Sequence, residues 1–188
     1  MTLDFEEFCN RWINLYLELR DKGASTREIG ARFEEHFREN VLLQFVPGGY
    51  RIARNPKRRG IEISGNGYEF DFLIVKRGAV EFDGVVPSDV LAAFEVRSHG
   101  FYDDAKKKRM EYALKDIEKK FPHIKLFYVT FRENASHEEN LKEIFGNLVR
   151  YYYRLSDSGD GVQIPPKRYL PNEWKRLIED LSKLSNST

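Results

Sequence analysis

One cysteine is all the chain has. Cys9 cannot close an intrachain disulfide, which predicts a fold held by its core and a reducing compartment. Methionine and tryptophan are also scarce, at two each. No apolar run approaches the ~20 residues needed to span a bilayer. The opening residues, Met1-Thr2-Leu3-Asp4-Phe5-Glu6-Glu7, are acidic and carry no basic stretch ahead of an apolar one, so no secretory signal is expected. Together these features predict a cytoplasmic protein. Charge of one sign is missing as well. Thirty-one Lys and Arg against 30 Asp and Glu leave a net +1, so any attraction for a polyanion has to come from local clusters. The four histidines have no metal-ligand spacing with Cys9. No P-loop, dinucleotide fingerprint, serine-nucleophile motif, internal repeat or low-complexity tract is present.

What the chain does have is aromatic volume and charge. Fourteen Phe and ten Tyr supply ample core in 188 residues, enough for one domain with a short helical appendage. Phe8, Trp12, Leu15 and Leu19 recur at helical spacing and predict a helix over 3–21, ended by Gly23. Ser25 followed by Glu28 is a capping box, opening a second helix to residue 40 with Ile29, Phe33 and Phe37 inward. After Pro47-Gly48-Gly49 the pattern turns to strands at 50–53, 61–64, 68–76, 80–82 and 90–97, with Asn66-Gly67 as a hairpin turn. A helix over 104–120 and a strand over 124–131 complete a βαβ unit, which requires parallel strands and a right-handed crossover. A helix over 137–153, a polar loop from 156, an extended crossing between Pro165 and Pro171, and a last helix over 172–184 follow. The expected organisation is an N-terminal helix (1–24) packed on a core (25–155), with a loop and C-terminal helix (156–188) appended. The class is a mixed α/β sheet flanked by helices.

Side chains alternate between the two faces of a strand. Asp71 therefore shares a face with Leu73 and Val75, and Glu95 and Arg97 share theirs with Leu91 and Ala93. Each is a charge on an apolar face near a strand end. An unpaired buried carboxylate is costly, so each needs a counter-ion or a divalent cation. Two carboxylates on neighbouring strands are the hard oxygen ligands that Mg2+ takes. The plainer alternative is a structural salt bridge among Asp71, Glu95 and Arg97. A basic segment, Arg51 and Arg54 with Lys57, Arg58 and Arg59, could contact phosphates at a hairpin tip or serve as a charged turn. Lys106, at the start of the helix after the strand, is a further phosphate candidate. Tyr151-Tyr152-Tyr153 reads as closing a core at a helix end, with base stacking as the alternative.

Asp71 and, 24 positions later, Glu95-Val96-Arg97 resemble the site of the PD-(D/E)xK superfamily, the restriction endonuclease-like nucleases. The expected α-β-β-β-α-β order over residues 26–131 is similar to their core. The family often adds a glutamate on the preceding helix, and Gly30-Ala31-Arg32-Phe33-Glu34 matches that motif at Glu34. The resemblance implies a metal-dependent DNA endonuclease. Asp71 and Glu95, with Glu34, would hold Mg2+ or Mn2+, and Arg54, Lys57, Arg58, Arg59 and Lys106 would contact the nucleic acid. Homodimerisation, common in such nucleases, stays open. Arg97 stands where the family has Lys. An arginine cannot serve as a base, but it can orient a phosphate and offset developing charge. That departure keeps a second reading open, a catalytically inactive nuclease-like domain that binds nucleic acid or a protein. A third, a helix-turn-helix regulator beginning at 24–30, lacks a recognition helix because Pro47-Gly48-Gly49 intervenes.

Overall fold

The structure, a computed structural model, describes residues 4–54, 60–81, 84–99, 104–133, 152–157, 166 and 168–186, with the backbone alone at residues 104, 106, 107, 132 and 133. Helix α1 (Phe5–Asp21) ends where expected: Gly23 takes a positive φ of 73°, and its N–H and that of Ala24 return to the Arg20 and Leu19 carbonyls. Helix α2 (Thr26–Asn40) opens on the complete capping box. The Ser25 hydroxyl accepts the Glu28 N–H, and the Glu28 carboxylate accepts the Ser25 N–H at 2.7 Å.

Six strands form the main sheet: β1 (Tyr50–Ala53), β4 (Phe72–Lys76), β5 (Val90–Arg97), β6 (Lys125–Glu133), β7 (Tyr152–Asp157) and β8 (Arg168–Tyr169), side by side in that order. Pairings β1–β4, β4–β5 and β7–β8 are antiparallel; β5–β6 and β6–β7 are parallel. Helix α3 (Asp104–Lys120) makes the crossover from β5 to β6, so the βαβ unit is present. A separate ladder of two short strands, β2 (Ile61–Glu62) and β3 (Glu69–Phe70), lies outside the main sheet. The last helix, α4, spans Pro171–Ser185.

The alternation of the strands sorts two cores. Phe72, Ile74, Phe94, Val96, Phe127, Val129 and Phe131 face α1, α2 and α4, where Phe8, Trp12, Phe33 and Trp174 fill the layer. Leu73, Val75, Ala93, Leu126 and Tyr128 face α3 through Met110, Leu114 and Ile117. Helices thus cover both faces of a mixed sheet.

Several elements differ from expectation. The strand predicted over 68–76 breaks at Asp71: residues 69–70 leave the main sheet to pair with β2, and only 72–76 stay. The strand over 61–64 stops at Glu62, with Ile63 making one parallel bridge to Val85. Residues 80 and 81 of the expected third short strand are irregular. Tyr152 and Tyr153 do not end a helix. They lie in β7, whose β-branch-free but aromatic sequence pairs in parallel with β6 because both rings stack on β6 partners, Tyr152 on Tyr128 and Tyr153 on Phe127. The rest of the helix predicted over 137–153 lies outside the described residues.

Candidate active site at the β4–β5 edge

The break at Asp71 creates the site. Phe72 pairs with Phe94 at the end of the antiparallel ladder, and Asp71 follows at the bend, next to the Glu95–Val96 stretch of β5. There the ladder has lost its backbone acceptor, and the Asp71 Oδ2 supplies one, accepting the Val96 N–H at 2.7 Å. Glu95 is 1% exposed. Its Oε1 accepts the Arg97 Nε at 2.7 Å and also the Arg97 Nη2, a two-nitrogen ion pair between residues two apart on one face of β5. The Arg97 side chain keeps 39% of its surface exposed, so the guanidinium lies at the mouth of the cluster. Tyr68, just before β3, turns its hydroxyl to the Glu95 carboxylate.

The electrostatics follow from crowding. Burial, then the charges of Glu95 and Glu34, hold the Asp71 carboxyl well above the usual carboxylate range, and Arg97 and the Val96 N–H only partly offset them. Burial also raises Glu95, against the pull of Arg97 and the Tyr68 hydroxyl. For Arg97, burial acts to lower the pKa, but the carboxylates of Glu95 and Asp71 outweigh it and the guanidinium is held more firmly protonated than usual. Tyr68 is raised by burial and by Glu95. One guanidinium therefore faces a buried carboxylate, Glu95, and a part-buried one, Asp71, with a third carboxylate close enough to be felt.

That third carboxylate is Glu34, which reaches the cluster from α2. Its partner is Arg54, at 3.9 Å. Arg54 itself is tied to α2, donating to Glu35 at 2.7 Å, and its guanidinium sits 5.7 Å from the centre of the Phe72 ring. Arg51, in the same segment, pairs with Glu81 and donates to the Ala79 carbonyl at 3.0 Å. Lys57, Arg58 and Arg59 lie outside the described residues, as does the side chain of Lys106, whose backbone is in the first turn of α3. The structure thus pairs Arg97 with Glu95, ties Asp71 to the intervening Val96 N–H within electrostatic reach of both, puts Glu34 close enough to act on Asp71, and engages Arg54 with acidic residues of α2.

No family model and no curated protein matches this chain.

The donor chemistry of the cluster suits a hard cation, since Asp71, Glu95 and Glu34 offer oxygens alone and carry more negative charge than Arg97 offsets. The arrangement is not a preformed cage: among the described residues no group of three or more His, Cys, Asp and Glu side chains is set to hold a metal ion. An ion at Asp71 and Glu95 would compete with Arg97 for the Glu95 carboxylate. Cys9 offers no chemistry to the site, because burial pushes its thiol up to about 12. Tyr68 is the member of the cluster that sequence reasoning missed. Face counting along a continuous strand puts it on the face opposite Asp71, and only the break at Asp71 turns it toward Glu95.

Proposed function

We propose that this chain is a divalent-cation-dependent nuclease, hydrolysing phosphodiester bonds in DNA, with a restriction endonuclease-like core. The observation that carries the reading is the surplus of carboxylate at the end of β4 and β5: Glu95, buried and paired with Arg97, and Asp71, part-buried and within its electrostatic reach, both have raised pKa values. Such a surplus costs folding free energy, and a Mg2+ or Mn2+ ion would offset it. Asp71 and Glu95 would hold the ion, with Glu34 beside them. The cation would supply acidification of a water and neutralisation of phosphate charge. Arg97, half in solvent, would bind the scissile phosphate through its planar fork and stabilise charge that develops on it. It cannot take a proton, because its neighbours hold it protonated.

A second reading has its own support. Arg97 is engaged by Glu95 through two nitrogens, and Asp71 completes the ladder at Val96, so both carboxylates have structural employment. A non-catalytic nuclease-like domain that binds nucleic acid or protein would look the same.

Incubation of the chain with supercoiled plasmid separates the two. Cleavage should require Mg2+ or Mn2+, stop in EDTA, and fall at least about 100-fold in Asp71→Ala and in Glu95→Ala. Mn2+ titration by calorimetry should show binding that releases protons and is lost in both variants. Undiminished cleavage in both variants would sink the proposal, and absence of both cleavage and ion binding favours the second reading.

A further inference from the structure

The outer face of α3 carries a pattern that the carboxylate site does not use. Met110, Ala113, Leu114 and Ile117 turn inward. Opposite them, at i, i+4, i+7 and i+11, lie Lys108, Tyr112, Lys115 and Lys119, all exposed. A polar outer face is ordinary, but Tyr112 is not: at 72% exposure it is the most open of the large apolar side chains described. Its ring lies between lysines. Lys115 pairs with Glu111 and Lys119 interacts with Asp116, whereas Lys108 makes no ion pair among the described residues. The helix also holds Lys106, Lys107, Lys108 and Arg109 in its first two turns, where positive charge opposes the macrodipole. That placement works against the helix and calls for a partner of opposite charge.

Topology sets the N-terminal end of this face beside the site. Strands β5 and β6 are parallel neighbours, so α3 runs back between them, and its N-terminal half flanks the carboxyl end of β5, where Glu95 and Arg97 sit. In α/β sheets ligands approach at that end. The stripe from Lys108 to Lys119 runs ~16 Å at 1.5 Å per residue, room for several nucleotides of an extended strand. We infer that the Lys108–Tyr112–Lys119 stripe is a track for single-stranded nucleic acid, with the lysines meeting phosphates and the Tyr112 ring stacking on an unpaired base. This rests on the nuclease reading for the choice of polymer. A flat aromatic among spaced cations suits a strand with exposed bases rather than a duplex, whose bases are already stacked.

Fluorescence anisotropy of a labelled oligothymidylate, with the full chain in EDTA, tests the track without cleavage. Binding should weaken about tenfold in Tyr112→Ala and stay within about twofold in Tyr112→Phe, which keeps the ring. In Lys108→Ala/Lys119→Ala the slope of log K against log salt should fall by about 1.4, close to 0.7 for each lost phosphate contact. All three side chains are exposed, so the variants should fold. Wild-type affinity in Tyr112→Ala, an unchanged salt slope in the double variant, or no binding at all would each overturn the inference. Failure of plasmid cleavage with this binding intact would count against the carboxylate site alone.

Discussion

Asp71 accepts the Val96 N–H with one oxygen and meets Glu95 and Glu34 as charge that Arg97 only partly offsets. The first role needs only an oxygen; the second is a cost that the fold carries. An unfolded aspartate titrates near 3.9. In the folded chain the value is higher, so between the two the folded state binds more protons than the unfolded one, and stability falls as pH rises through that window. Asp71→Asn keeps an acceptor for Val96 and removes the charge. It should stabilise the fold at pH 7–8 by about 1 kcal/mol, a rise in Tm of about 3 °C for a chain this size. The gain should vanish as pH falls toward about 4, where the native carboxyl is itself protonated. Thermal unfolding of both proteins across that pH range checks the sign. A salt bridge present only for stability gives the opposite result, a loss at neutral pH. At this scale the sequence was informative about partners and silent about geometry. Charges on apolar strand faces pointed to Asp71, Glu95 and Arg97 and to a salt bridge among them, and the Arg97–Glu95 pair is there, but the spacing did not show that Asp71 would instead accept the Val96 N–H.

Local chemistry decided which elements could be read from sequence. The capping box of α2 is visible in Ser25 and Glu28, and it closes as expected because both hydrogen bonds lie within one turn. Ser25→Ala should cost about 1 kcal/mol and lower Tm by about 3 °C; differential scanning calorimetry reads it directly. An unchanged Tm would mean that tertiary contacts, not the cap, fix the start of the helix. The strand break at Asp71 was hidden because Phe70 and Phe72 are both apolar and both buried, but in different clusters. A periodicity of two cannot distinguish one strand from two that point into separate cores. Strand β7 was hidden by the apolar spacing of Leu141, Ile144, Phe145 and Leu148, which carried a helical reading forward onto Tyr152 and Tyr153. Their place is set by contacts distant in sequence, including the Tyr153 hydroxyl donating to Asp180 on α4 and Arg176 lying 4.2 Å over its ring.

Those contacts bear on the whole molecule, because they make α4 part of the main core rather than a packed tail. Trp174 lies 4.9 Å from Phe8 and 5.2 Å from Phe5 between ring centres, and Leu177, Leu181 and Leu184 are buried with the α1 and α2 side chains. The last helix therefore closes the layer that the first two begin. Among the described residues no helix is long and apolar enough to cross a membrane, and the apolar faces of α1, α2 and α4 are spent on one another and on the sheet. The carboxylate cluster looks the other way: Glu95 pairs in register with Tyr128, which belongs to the core under α3. Glu95 thus lies on the face away from α4, with only Glu34 of the cluster coming from the α2 side, and a cavity under α4 should leave the cluster in place. Leu177 is fully buried, and Leu177→Ala should cost about 3 kcal/mol, lowering Tm by about 9 °C. If α4 is integral, far-ultraviolet circular dichroism and the fluorescence of Trp12 and Trp174 should still report one coincident transition, whereas an appendage would melt first and alone. Below that transition, the proposed ion site predicts that Mn2+ still raises Tm in Leu177→Ala by as much as in the wild type, since the proposed ligands Asp71 and Glu95 are untouched, and fails to do so in Asp71→Asn.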